Sequence, residues 1–333
     1  MSPWLLALTG LSLVTTSWSV QAQTTLSEQE TQNRVVEAAQ QIPRVIPGVL
    51  TIDGQRIWNS PTLAAQKIVF KPGASLIFSA DVLRQRRNLF IFANQIVSDD
   101  QEHPGTITWQ KSTPDAPPPL GTASPGADNG AIEGLPGGNG VNGRVGTGGT
   151  GGRQGPDLTI TAKSISPALV VDLLGGNGGP GGTGENGGRG GGGGKGNPAS
   201  QNVANCNRGA GDGERGGTGG SGGPGGSGGS GGDGGSFTMV VPDDQIAVVT
   251  RILQVKLGAG TPGGGGQSGA GGGGGPGGPG GQESRPYCRG NGSQGPTGGG
   301  NGGGPAGPQG AQGQAGTYFV GGLNPNDIDQ LLK

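Results

Sequence analysis

Residues 213–236 read Gly213-Glu214-Arg215-Gly216-Gly217-Thr218-Gly219-Gly220-Ser221-Gly222-Gly223-Pro224-Gly225-Gly226-Ser227-Gly228-Gly229-Ser230-Gly231-Gly232-Asp233-Gly234-Gly235-Ser236, eight unbroken triplets that each begin with glycine. Blocks 134–157, 175–198 and 260–283 have the same length and phase, and a fifth, 292–318, holds nine triplets with one lapse at Asn301. A flexible glycine-rich linker keeps neither a period nor a fixed length. Equal blocks in strict phase give each triplet a place in a helix of three residues per turn, which is polyproline II. The blocks therefore specify a shape.

Three residues per turn display three longitudinal rows: Gly, X and Y. A row of glycine lets a neighbouring backbone approach closely, and polyproline II has no internal hydrogen bonds, so inter-rod bonding has to satisfy buried backbone. X is glycine in seven of eight triplets of 213–236 and in six of eight of 175–198, while in 260–283 the extra glycines sit at Y in five of eight. The outer blocks 134–157 and 292–318 carry bulkier residues. The middle three rods are expected inside and the outer two at the edges.

Between the glycine blocks a strand signal recurs. Lys67–Phe70, Ser75–Phe78, Leu89–Ala93 and Thr106–Trp109 are short, rich in β-formers and separated by turn residues such as Pro72-Gly73. Leu89–Ile96 aligns with Leu158–Ile165, then with Phe237–Ile246 after a two-residue insertion, and Tyr318–Gly322 begins the pattern again. Second strands follow at Ile107–Trp109, Leu169–Leu174 and Ile252–Leu257. Recurring strand modules with long insertions point to a stacked, solenoid-like array. The expected fold class is mainly β with polyproline II: a small stacked β base carrying a bundle of long glycine-rich helices paired as hairpins. At about 3.1 Å per residue a straight 24-residue rod would reach ~75 Å. The Pro-rich stretch Lys111–Glu133 is expected to be the outgoing limb of the first hairpin.

Cys206 and Cys288, the only two cysteines, fall in the loops Ala199–Asp212 and Ser284–Asn291, at the expected hairpin tips. An even pair in an exported chain reads as a disulfide. The same loops concentrate side chains, and Asn202, Asn205, Asn207, Arg208, Arg285, Tyr287 and Arg289 are the expected contact residues.

At the N-terminus, Leu5–Val14 forms an apolar core and Val20-Gln21-Ala22 a small-residue cleavage signal, the pattern of a secretory signal peptide over 1–22. The apolar run is shorter than the ~20 residues of a membrane span. Residues 23–48 follow as a helix and linker, with Ser27 and Glu30 forming a capping-box signature and Pro43 and Pro47 ending the helix. The β-rich base occupies 49–110, the glycine hairpins and interleaved strands 111–322, and a short C-terminal helix or tail 323–333. The chain is expected outside the cytoplasm, in the periplasm or beyond, after cleavage near Ala22.

Charged residues make up 13% of the chain and the net charge is −1, which gives no electrostatic footprint for nucleic acid or anionic lipid. A single histidine and no assembled Ser/His/Asp set argue against catalysis, so a non-enzyme without cofactor or metal is expected. Asp99-Asp100-Gln101-Glu102-His103 reads as a solvated turn, Gly190–Gly196 lacks the Ser/Thr of a phosphate loop, and Gly213-Glu214-Arg215 reads as an ordinary charged turn. By its triplets the chain resembles exported bacterial collagen-like proteins. It is also similar in logic to the glycine-rich polyproline II bundles of snow-flea-type antifreeze proteins and phage adhesin tips. The resemblance implies architecture more than activity. An exported structural or adhesive scaffold facing an unknown surface or protein partner is the expectation, with ice binding and a collagen-like trimer as alternatives. Monomer and trimer stay open.

Overall fold

A computed structural model describes residues 48–112 and 114–324, together with 328 and 332. The signal peptide expected over 1–22 and the helix expected from Ser27 fall outside these residues, as does most of 323–333.

Two parallel sheets organise the chain. The larger has six strands in the order β1 (Val49–Ile52), β3 (Thr62–Phe70), β5 (Asn88–Ser98), β7 (Asp157–Ser166), β11 (Phe237–Pro242) and β13 (Tyr318–Leu323). The smaller has five, β2 (Gln55–Trp58), β4 (Ser75–Phe78), β6 (Gly105–Trp109), β8 (Leu169–Asp172) and β12 (Leu253–Lys256). The chain alternates between the sheets, and each new strand pairs in parallel with its predecessor in the same sheet. Sequence supplies the reason. Parallel strands buried on a face need rows of apolar side chains, and β5 aligns Leu89 with Leu158 of β7, which aligns with Phe237 of β11 and then Tyr318 of β13. From the opposite sheet, Leu76, Phe78, Ile107, Trp109, Leu169 and Val171 join the same core. Each such side chain contributes roughly 1.5–3 kcal/mol relative to an exposed one. On the outer face of the large sheet, Phe90 and Phe92 stack at 6.3 Å and are covered by Ile328 and Leu332.

The expected fold class is corrected by this arrangement. The molecule is mostly β, but its regular structure is two large parallel sheets rather than a small base, and no polyproline II bundle is evident among the described residues. Glycine periodicity outweighed the apolar strands in the sequence reading, whereas side-chain burial resides in the strands. The glycine blocks carry no regular helix or strand. They leave the end of a small-sheet strand and return to the next large-sheet strand, over 110–156, 173–236 and 257–317. The same corner is crossed by only 59–61 between β2 and β3.

Two strand boundaries also differ. β11 stops at Pro242, which lacks an amide hydrogen, and Asp243–Gln245 form a 3-10 turn leading into the helix α2 (Ile246–Ile252). A second helix, α1 (Ala80–Gln85), follows β4 and is capped by the Ser79 hydroxyl, which accepts from Val82 N–H. Gly54, at φ +64°, makes the tight turn between β1 and β2.

The glycine segments satisfy their backbone between themselves, one residue in three. Gly140, Gly143 and Gly146 N–H donate to the carbonyls of Thr218, Ser221 and Pro224, so 134–157 and 213–236 run parallel. Gly217, Gly220 and Gly223 N–H donate to Gly191, Gly188 and Glu185, so 213–236 and 175–198 run antiparallel. Equivalent parallel bonds join 175–198 to 260–283 and 213–236 to 292–317, and antiparallel bonds join 260–283 to both 213–236 and 292–317. The pattern is two layers, one of outgoing and one of returning segments. Segment 175–198 touches the outgoing limb 121–133 as well as 134–157, 213–236 and 260–283, whereas 292–317 bonds along its length to 213–236 and 260–283, and at its ends to Asp212, Phe237 and Leu257. Glycine is required where these approaches occur: a Cβ on Gly217 would stand 1.9 Å from the Gly138 carbonyl oxygen.

Asn301 occupies a glycine position, and its side-chain amide donates to the Gly219 carbonyl. The rungs there lengthen to 3.1 Å (Asn301 N–H to Gly272) and 3.2 Å (Gly304 N–H to Gly269), against 2.8 Å for Gly295 to Gly278. The row of 292–317 that would need glycine beside a further segment keeps it only at Gly300 and Gly303 and otherwise carries Gln294, Thr297, Ala306, Gln309, Gln312 and Ala315. These side chains close that edge.

A second device is absent from the sequence reading. Asn or Asp at a Y position accepts, through Oδ1, the N–H of a Y- or X-row residue on the parallel neighbour, a group that the glycine rungs leave unpaired. Asn139 takes Thr218 N–H at 3.0 Å, Asn142 takes Ser221 at 2.8 Å, Asn177 takes Thr261 at 3.0 Å, Asn186 takes Ala270 at 2.8 Å and Asp233 takes Gln314 at 2.7 Å. Each latch is an exposed hydrogen bond with a net value of about 1 kcal/mol. Asn142→Ala is expected to lower stability by about that amount, while Asn142→Asp, which keeps the acceptor, leaves it within ~0.5 kcal/mol. Urea midpoints of the two variants check this.

Candidate functional site

The loops that cap the second and third excursions meet at the end of the array away from the sheets. In the first, Ser200–Gln201 (β9) and Cys206–Arg208 (β10) form a short antiparallel hairpin. Asn202 builds its turn: Oδ1 accepts from Ala204 N–H at 2.9 Å and Asn205 N–H at 2.7 Å. In the second loop, Ser284 and Cys288 exchange backbone bonds of 2.9 and 2.8 Å around a tight reversal.

Cys206 and Cys288 are joined by a disulfide, with their Cα atoms 4.8 Å apart. Gln201 adds a polar clamp beside it. Its Oε1 accepts from Tyr287 N–H at 2.9 Å, and its Nε2 donates to the Arg285 carbonyl. Sequence reading found the disulfide and missed Gln201, whose role depends on spatial proximity across 84 to 86 residues of chain.

Glu283 orders the second loop. Oε2 accepts from Gly290 N–H at 2.9 Å and Oε1 from Arg285 Nε at 2.6 Å, while Asn291 Oδ1 accepts from Glu283 N–H at 2.8 Å. The Gly290 amide and then the Arg285 guanidinium hold the Glu283 carboxyl below the usual carboxylate range. Asp212 is likewise engaged, accepting from Ser293 N–H at 2.7 Å. Both acidic side chains of the tip therefore point their oxygens at tip or array donors.

What faces solvent is different in character. Val203 is 95% exposed and Tyr287 46%. Asn202, Asn205, Asn207, Arg208, Arg285 and Arg289 are exposed as well. Arg208 Nη2 donates to the Pro198 carbonyl at 3.2 Å and Arg289 Nε to the Pro286 carbonyl at 3.3 Å, which orients each guanidinium, and the Arg289 charge also acts on the Glu283 carboxylate. All seven residues expected from sequence are thus gathered on one tip. Asn202 and Arg285 serve its internal bonding, and the others are presented outward.

Other motifs resolve into local structure. His103 Nδ1 lies 3.0 Å from Asp100 Oδ2, and Lys71 pairs with Asp99 at 2.7 Å. His103 and then the Glu102 amide keep the Asp100 carboxyl below its ordinary range. No group of three His, Cys, Asp or Glu side chains among the described residues is arranged around a metal position. Glu185, with a side chain only 8% exposed, is held by Arg144 through Nε at 2.8 Å and the Arg144 amide at 3.0 Å, which lowers its pKa. It replaces an X-row glycine where the outgoing limb leaves room. A cleft of about 230 Å³ beside α1 is lined by Asn59, Pro61, Ser79, Asp81, Val82, Gln85 and Arg86. Its carboxylate, Asp81, is paired with Arg84 at 2.8 Å.

No protein-family model matches the chain, and no curated protein matches it either. Among the described residues no helix is long and apolar enough to cross a membrane. The disulfide is compatible with an exported protein, since such bonds persist in oxidising compartments.

Proposed function

We propose that this chain is an exported, non-enzymatic scaffold that presents its disulfide-stitched tip to a surface or partner. One observation carries the reading. The tip lies farthest from the apolar core, yet it holds the chain's one disulfide, the Gln201 clamp and the Glu283 network. Ordering costs of this kind bring no core burial, and they suit a surface held ready for contact.

The test uses the producing cells. Fractionation should place the protein outside the cytoplasm, beginning near Gln23. Cells making a version with both tip loops shortened to glycine turns should lose attachment to surfaces that wild-type cells hold. A cytoplasmic protein, or unchanged attachment by cells exporting the tipless form, overturns the reading.

Ice binding is a second reading favoured by one row. Thr218, Ser221, Ser227 and Ser230 recur along the outer side of segment 213–236, with the serines exposed. Thermal hysteresis of the purified protein tests it, and its absence removes it.

A further inference from the structure

Resting on the scaffold reading, we infer that the tip binds an acidic polysaccharide, one whose sugar rings carry carboxylates. The charge balance of the two loops supports this. Residues 199–212 and 283–291 contain Arg208, Arg285 and Arg289 against Asp212 and Glu283. Both carboxylates are committed to internal donors, and Arg285 is tied to Glu283. Arg208 and Arg289 remain as exposed guanidinium groups, each held by a single carbonyl bond and Arg289 sharing the Glu283 field with Arg285, on a protein of net charge −1. The tip is a local positive point on a nearly neutral molecule.

The remaining chemistry narrows the ligand. The disulfide places Arg289, one residue beyond Cys288, beside Asn207 and Arg208, which follow Cys206. Tyr287 is half exposed next to them, with its backbone fixed by Gln201. Planar guanidinium groups match carboxylates in two-point geometry. An aromatic ring gives a flat apolar face with a polar end, and the Asn205 and Asn207 carboxamides offer both donors and acceptors to hydroxyls. A polyhydroxylated, carboxylated chain uses all of these groups. An acidic peptide would use the guanidinium groups and leave the ring and the amides largely idle. Such a surface binds through several modest contacts, and salt weakens it.

The experiment measures binding of purified, oxidised full-length protein to polygalacturonate at low and at raised sodium chloride, with dextran and poly-glutamate as comparison polymers. Polygalacturonate should bind more tightly than either and lose affinity as salt rises. The double variant Arg208→Gln/Arg289→Gln should weaken it by about tenfold or more, the loss of two charge-assisted contacts. Tyr287→Ala should weaken it several-fold with the salt response kept. Both variants must form the disulfide and unfold at the wild-type urea midpoint, and Arg289→Lys supplies a second, milder probe that keeps the charge but loses the fork. Absence of binding to polygalacturonate, equal binding to dextran, equal or tighter binding to poly-glutamate, or variants that bind like wild type each overturn the proposal. If polygalacturonate is ignored while tipless cells still lose attachment, the ligand class fails and the scaffold reading stands.

Discussion

Gly223→Ala is expected to destabilise the protein by about 3 kcal/mol or more, whereas Gly264→Ala, a chemically identical change in another glycine segment, shifts stability by less than ~1 kcal/mol. At Gly223 an added Cβ would stand 1.9 Å from the Arg144 carbonyl oxygen and 2.6 Å from its carbon. Those atoms are backbone and cannot rotate away. Separating the two segments would also stretch the bonds from Gly143 N–H to the Ser221 carbonyl and from Gly146 N–H to the Pro224 carbonyl, 2.8 and 2.9 Å long. At Gly264 nothing lies within 4 Å of the same added atom. Its carbonyl keeps its bond from Gly181 N–H at 2.9 Å, and the alanine removes conformational freedom only from the unfolded chain. Stabilisation by ~0.4–1 kcal/mol is the expected direction there. Urea unfolding of both variants checks the pair. Equal midpoints would show that the segments are not in close contact.

The same contrast explains how much of this protein was legible in its sequence. Row counting marked 175–198 and 213–236 as rich in glycine on two rows, and hydrogen bonds tie each of these to neighbours on several sides. The alignment of Leu89 with Leu158, Phe237 and Tyr318 gave strand pairs in register, because side chains stacked in a parallel sheet repeat in kind. The balance between the two parts was not legible. A glycine period is conspicuous in letters and places few side chains in a core, while the strands of the two parallel sheets, 4 to 11 residues long and interrupted by polar residues, are inconspicuous and hold most of the core. That is why two large parallel sheets replace the small base expected.

At the tip the limit was of another kind. Cysteines announce their pairing through composition and compartment, and exposed arginines in a loop announce themselves by type. Gln201 and the Asn139 and Asn142 latches act through neighbours 79 to 86 residues away, and Glu283 reaches Gly290, 7 residues on. Nothing in their own surroundings along the chain distinguishes them from solvated loop residues. The expected hairpin loop 199–212 also concealed the β9–β10 pair, since strands this short give no periodic signal.

Removing the disulfide is the other change expected to act strongly. Cys206 and Cys288 are separated by 82 residues, and in the chain-entropy model a closed loop of that length stabilises by about 4.5 kcal/mol. The double variant Cys206→Ser/Cys288→Ser should therefore unfold at a markedly lower urea concentration than the oxidised protein, and reduced wild type should coincide with it. Because the loop-closure effect acts on the unfolded chain, the loss appears in the global transition. A local signature should accompany it. Without the bond the two loops keep the Gln201 clamp and, at their bases, the bonds from Ala199 N–H to the Gln282 carbonyl and from Gly281 N–H to the Gly211 carbonyl, so amides near the tip, such as Gly281 and Gly292, should exchange faster with solvent. Amides of β5 and β7 should keep their rank as the slowest. If the oxidised and reduced forms unfold together while tip exchange is unchanged, the clamp and the glycine ladder hold the tip without the covalent bond. A fall in midpoint with unchanged tip exchange would instead assign the disulfide wholly to the unfolded chain. The expected pattern, both changes together, makes the bond a brace on the presented surface as well as a constraint on unfolding.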